Sequence, residues 1–246
     1  MICDKSKKPI LIVSAGNTLD GIRAQSGDFP DWITEGLRYE GPILRLDARE
    51  HGIEFPALET LAGVVITGSQ AMVTDRATWS EQLAAWLRIC VAREKPLLGI
   101  CFGHQLLAHA LGGLVDYNPL GMEIGTTQIV ACDHAAGDAL FGGLPTVFGA
   151  QSVHAQSVCR LPPGAVTLAF NNHDSHQAFR GGPVAWGVQF HPEFSPATMQ
   201  GYIRAMASRF ESQTACQQAL AAVAPTPEAS ALLARFACIA GDRSGT

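Results

Sequence analysis

Cys101 stands between two glycines in PLLGICFGHQLLAHALGG, residues 96–113, where an apolar run passes directly into a helical pattern. Gly99-Ile100-Cys101-Phe102-Gly103 reads as strand, sharp turn and helix start, a nucleophile elbow with cysteine in the place more often held by serine. Such a turn lifts one side chain clear of the sheet, and glycine two residues to either side removes the Cβ atoms that would clash across it. Phe102 opens the new helix, so its unpaired N–H and the positive end of the helix dipole face the thiol. The segment therefore predicts a nucleophile, surroundings that favour a thiolate, and half of an oxyanion hole. Read alone, it fits a small buried cysteine at a strand end equally well.

A partner appears about ninety residues later, in AWGVQFHPEFS, residues 185–195. Trp186 to Phe190 reads as a buried strand running into His191-Pro192-Glu193. Residues two apart on an extended chain share a face, so His191 and Glu193 can stand side by side, with Pro192 restricting the backbone between them. A carboxylate on one imidazole nitrogen fixes the tautomer that leaves the other nitrogen free as a base, and it steadies the imidazolium formed on proton transfer. Cysteine, base and orienting acid make an acyl-transfer set whose covalent intermediate is a thioester.

With GICFGHQ and QFHPE in one chain in this order, the sequence resembles the class I glutamine amidotransferases, a family with a Cys-His-Glu triad. Within it, the chain is similar to stand-alone members that look like the amidotransferase domain of GMP synthase, and the resemblance runs from about Ile10 to Phe210. It implies an amidase that attacks the side-chain amide of glutamine, forms a γ-glutamyl thioester on Cys101, releases ammonia and hydrolyses the thioester. It also implies a second oxyanion donor at the turn after Val64 to Thr67, where this chain has Gly68-Ser69-Gln70 and many relatives have Gly-Gly-Pro. The donor is a backbone N–H, so Ser69 can supply it if the turn needs no positive φ. By the same resemblance Gln105 contacts the substrate, Glu123 in Met122-Glu123-Ile124-Gly125 is a secondary site residue, and His154, Ala155 and Gln156 hold the amino-acid end of glutamine. Several relatives carry Ser-His-x-Asp in that last segment; here Gln156 replaces the acid.

Other polar residues read more plainly. His104 and His109, on the elbow helix, are packing or surface histidines, since His191 already has an acid partner. His173-Asp174-x-His176 has a metal-ligand composition, but with Asn171 and Asn172 it reads as a polar loop or hairpin before a strand, and no further cluster completes a metal site. Lys5, Lys7 and Lys8 form a short solvated group. A net charge of −5 without a basic stripe argues against nucleic acid as a partner. Seven cysteines without a CxxC pair fit a reducing, cytoplasmic setting. The apolar run Ile10 to Val13 is too short for a signal-peptide core, and no segment reads as a membrane span. The reading needs no cofactor and no metal.

To bring Cys101 and His191 together the chain needs a sheet. Ile10 to Ser14, Ile43 to Asp47, Val64 to Thr67 and Leu97 to Ile100 read as its central strands, alternating with helical patterns in the manner of a parallel sheet. Trp79, Leu83, Trp86, Leu87 and Cys90 share one face of a covering helix. Ile124 to Cys132, Val166 to Phe170 and Trp186 to Phe190 add strands, some antiparallel. The expected fold is α/β: a three-layer, open, mostly parallel sheet with helices on both faces, like flavodoxin and the class I amidotransferases, and with its site at the carboxyl ends of the strands. Residues 1–210 form the expected catalytic domain, and 211–246, alanine-rich with a Pro225-Thr226-Pro227 break, a helical extension. Three functions stay open at this level: a glutamine amidotransferase or glutaminase feeding ammonia to a separate synthetase, a stand-alone γ-glutamyl hydrolase or peptidase, and a non-catalytic regulatory module. An electrophilic glutamine analogue that labels Cys101 separates the last from the first two.

Overall fold

The computed structural model describes residues 7–242. Lys5 of the lysine group and residues 243–246 of the expected extension lie outside them; Lys7 pairs with Glu40 at 2.8 Å. In chain order the elements are β1 (Ile10–Ser14), α1 (Asp20–Ser26), α2 (Phe29–Leu37), β2 (Ile43–Asp47), β3 (Gly63–Ile66), α3 (Thr78–Ala92), β4 (Leu97–Ile100) and α4 (Phe102–Ala110). They continue with β5 (Leu114–Tyr117), β6 (Glu123–Ala131), β7 (Val147–His154), β8 (Gln156–Arg160), β9 (Val166–Phe170), β10 (Ala178–Gly182), β11 (Ala185–Val188), α5 (Pro196–Ala205), α6 (Gln213–Ala221) and α7 (Pro227–Asp242).

Side chains alternate across a strand, and β1 shows why both faces need cover: Ile10 and Ile12 enter one core, Leu11 and Val13 the other. The first core is closed by α2, α5 and α7 through Ile33, Leu37, Ile203, Leu233 and Phe236. The second is closed by α3 and α4 through Leu83, Leu87, Leu106 and Leu107. The central strands sit where the apolar runs predict them, and Leu83, Trp86, Leu87 and Cys90 are the buried stripe of α3.

The sheet is more mixed than alternation alone implies. Its order is β2-β1-β3-β4-β11-β10-β9-β6-β7. Pairings from β2 to β11 are parallel, while those from β11 to β7 are antiparallel. Parallel strands need long crossovers, whereas β9, β10 and β11 follow one another through short connections that permit only antiparallel pairing. Strands β5, β7, β8 and β10 are not legible as apolar runs; β7, for instance, carries buried Gln151 and Ser152 within it. β5 and β8 form a separate two-stranded ribbon beside the main sheet. The His173 region is a polar loop, with His173 Nε2 at 3.1 Å from the Gly121 carbonyl and the Asn171 side chain accepting from the backbone of His173 and Asp174. No helix among the described residues is long and apolar enough to cross a membrane.

Candidate active site

β4 delivers the chain to Cys101, and α4 begins at the next residue. Cys101 is held at φ 51° and ψ −101°, a conformation that L residues avoid and that nucleophile elbows impose. The flanking glycines are required by backbone contacts. A Cβ on Gly99 would lie 2.4 Å from the Gly103 carbonyl oxygen, and one on Gly103 would lie 2.7 Å from that of Ile66. The turn therefore closes only when both positions lack a side chain. Its product is a sulfur at the helix N-terminus, 3.7 Å from the Val153 carbonyl and lining a cavity of about 210 Å³.

His191 reaches this sulfur from β11. The strand stops at Val188, two residues short of the expected end, because Gln189 N–H donates to the Gln177 carbonyl and His191 N–H donates at 2.7 Å to the Gln151 carbonyl of β7. That bend turns the imidazole into the cavity. Its Nδ1 lies 2.7 Å from Glu193 Oε1, and both side chains are almost fully buried. Nε2 is buried without a hydrogen-bond partner of ordinary geometry, and the Cys101 side chain is near enough to act on the imidazole's charge. Burial works against a charged imidazole here, but Glu193 and Cys101 outweigh it and raise His191 to about 10. Phe194 stacks on the ring at 4.1 Å between centroids, with Phe29 nearly parallel to it at 5.9 Å. Phe29 is positioned by the capping box of α2, in which Asp28 accepts from Phe29 N and Asp31 accepts from Asp28 N.

Ser69 lines the cavity beside Cys101, and the turn at 68–70 uses no positive φ, so the backbone condition on a Ser69 donor is met. Ser69 Oγ donates to the Ala15 carbonyl and accepts from Ala71 N, which fastens the turn to the end of β1. Gly68 lies under the imidazole rather than on the cavity wall: a Cβ there would stand 2.9 Å from His191 Cε1. Phe102, first residue of α4, has an N–H with no place in the helix's own bonding.

Gln105, Val153, His154, Ala155 and Gln156 also line the cavity. The amide nitrogen of Gln105 donates to the Gln156 carbonyl at 2.7 Å and to Gln189 Oε1 at 3.0 Å. Glu123 is placed otherwise than a substrate contact would be, buried behind His154 with Oε2 2.8 Å from His154 Nε2. Burial would raise its pKa, but His154, Asn171 and Gln177 outweigh that and hold the carboxyl below its ordinary range. Gln156 turns its side chain away, accepting from Val73 N at 3.1 Å and donating to Thr74 Oγ1 at 2.6 Å. His104 is fully buried, packed on Phe179 and pushed down to about 4, mainly by burial; His109 lies near Glu81 and Arg76 outside the site. Among the described residues, no group of three or more His, Cys, Asp or Glu is placed to hold a metal ion.

The family model for class-I glutamine amidotransferases matches residues 33–207, which contain both the elbow and the His-Pro-Glu segment. The chain belongs to this family. Among curated relatives, the glutamine-hydrolyzing GMP synthase subunit of Methanopyrus kandleri is 35% identical over 136 residues, covering 55% of this chain and 68% of the relative. The GMP synthase of Aeropyrum pernix is 36% identical over 137 residues, 56% of this chain, and the match spans only a quarter of that longer enzyme. Solved amidotransferases from Methylobacillus flagellatus and Thermotoga maritima share the fold, with TM-scores of 0.75 and 0.73 at 21% identity. The first alignment covers 97% of this chain and 95% of its counterpart, the second 96% and 98%.

Within this amidotransferase-family site, several residues carry no sequence signal of their own. Phe29, Phe194 and Tyr202 build the aromatic wall around His191, and Gln189 anchors Gln105. Ser195 was discoverable as an N-cap before Pro196: its Oγ accepts from Thr198 N, starting α5 so that Tyr202 faces the cavity. Arg209 has no such signature, yet it lines the same cavity as Cys101.

Proposed function

We propose that the chain is a thiol amidase that takes ammonia from the side-chain amide of glutamine. His191 accepts the Cys101 proton, and the thiolate adds to the amide carbonyl while the Ser69 and Phe102 N–H groups stabilise the oxyanion. His191 then protonates the leaving nitrogen, and C–N cleavage gives ammonia and a γ-glutamyl thioester. Water, deprotonated by His191, attacks the thioester and releases glutamate and the free thiol. Glu193 orients and charge-balances the imidazole through both halves. Gln105, His154, Ala155 and Gln156 line the binding end, with Glu123 steadying His154 from behind. The observation that carries the reading is the buried His191–Glu193 bond of 2.7 Å, with the other imidazole nitrogen left for a cysteine held in elbow geometry.

In this reading the ammonia passes to a separate synthetase, and the free thiol works in a reducing, cytoplasmic setting. A second open cavity of about 560 Å³ adjoins the first across Leu19, Ser69, Gln70 and Ala71. It favours a second reading, in which the leaving group is larger than ammonia and the substrate is a γ-glutamyl amine or peptide. The deciding experiment measures ammonia or amine release by purified protein from L-glutamine and from a panel of γ-glutamyl conjugates, with Cys101→Ala as control. Turnover of glutamine that vanishes in Cys101→Ala supports the amidase; preference for a conjugate supports the second reading; equal activity in the control overturns both.

A further inference from the structure

The cavity that holds Cys101 has an asymmetric charge. Glutamine presents a carboxylate and an ammonium on one carbon, yet no Asp or Glu is among the residues lining this cavity. Glu193 and Glu123 stand behind His191 and His154, each already bonded to its histidine. Gln156 is neutral and spends its side chain on Val73 and Thr74. The nearby acceptors are largely committed as well. The Ala155 carbonyl accepts from Asn118 N, and the Gln156 carbonyl accepts from Gln105 and faces His154 Nδ1. What remains for an ammonium is neutral, such as Gln105 Oε1. The permanently charged group on the wall is Arg209, exposed, at the end of the turn Ala207–Arg209, its guanidinium without a hydrogen bond or ion pair among the described residues.

On the amidase reading above, we infer that the site recognises its substrate by the carboxylate, through Arg209, and leaves the α-nitrogen unread. An unpaired guanidinium offers a carboxylate two parallel N–H donors. An ammonium set against neutral acceptors gains little to offset the hydration it loses. The substrate class is therefore wider than glutamine: ω-amides that keep the carboxylate but lack the α-nitrogen, or carry it acylated, react through the same Cys101 thioester with the same release of ammonia.

The test compares kcat/KM for L-glutamine, glutaramate, N-acetyl-L-glutamine and the α-carboxamide of glutamine, in the unchanged protein and in Arg209→Gln and Arg209→Lys. A site built to bond a polar group rejects an analogue lacking it by roughly four orders of magnitude, so an unread nitrogen is easily told from a read one. Glutaramate and N-acetyl-L-glutamine should react within about tenfold of L-glutamine or better, and the carboxamide at least about a hundredfold worse. Arg209→Gln should raise KM for the carboxylate substrates about tenfold with kcat nearly unchanged, and Arg209→Lys should recover part of that loss. Glutaramate falling more than about tenfold below L-glutamine, or an unchanged KM in Arg209→Gln, overturns the inference and leaves the amidase intact. No ammonia from any substrate, with no thioester on Cys101, overturns the amidase reading and this inference with it.

Discussion

Cys101 is the residue where backbone geometry and chemistry meet. A non-glycine residue in its sparsely populated conformation stores about 1–3 kcal/mol. Cys101→Gly should therefore be more stable than Cys101→Ala by about 1 kcal/mol in urea unfolding, with neither releasing ammonia; Cys101→Ala more stable than Cys101→Gly, as at an ordinary backbone position, would mean that the elbow is unstrained. His191 supplies a pH dependence of definite sign. Burial opposes its charge, Glu193 and Cys101 outweigh burial, and the folded value of about 10 stands above the ordinary 6.5. Its stabilisation is thus fully present below pH 6.5 and lost as pH climbs through about 10. The stability gap between the unchanged protein and His191→Gln should narrow across that window. A gap that widens with pH would rule out the charged imidazole.

At the scale of elements, the site depends on a strand–turn–helix junction that tolerates no added atom and on a strand bent out of its sheet. Gly99→Ala and Gly103→Ala each drive a Cβ into backbone oxygen, so each should cost about 3 kcal/mol and abolish activity by shifting α4. Gly137 is the matched control, with negative φ and nothing within 4 Å of a Cβ built there; Gly137→Ala should change stability by under about 0.5 kcal/mol. Thermal melts of the three variants decide whether the glycines serve the elbow or are incidental. The bend after β11 depends on the Gln151 carbonyl of β7, which makes an edge strand rich in polar residues part of the machinery that aims His191.

Across the whole molecule, two cores share one sheet, and the last helix closes the first of them. The family match ends at residue 207, yet α7 buries Leu232, Leu233 and Phe236 completely. It sits so close to α2 and β3 that a Cβ on Gly36 would lie 2.4 Å from Leu233 and one on Gly63 2.9 Å from Ala240. Phe236→Ala should accordingly destabilise the protein by about 3–5 kcal/mol, read as a lower denaturant midpoint with ammonia release preserved below it. A loss under about 1 kcal/mol would show α7 to be an appendage rather than a wall of the core.

The elbow, the His-Pro-Glu pair, the central strands and the α3 stripe were legible in the sequence because each rests on a local rule: glycine where a Cβ cannot fit, two-residue alternation in strands, helical spacing of apolar residues. The tertiary structure alone decided the rest. Polar strand β7, invisible as an apolar run, holds the backbone of His191; Phe29 and Phe194 meet the imidazole from distant elements; Glu123, an acid at a strand start, lies buried behind His154. Gln156 turns toward Val73 and Thr74, and Arg209 joins the cavity wall. Such placements depend on where the chain returns in space, because a polar side chain's partner is set by tertiary neighbours and not by its own propensity.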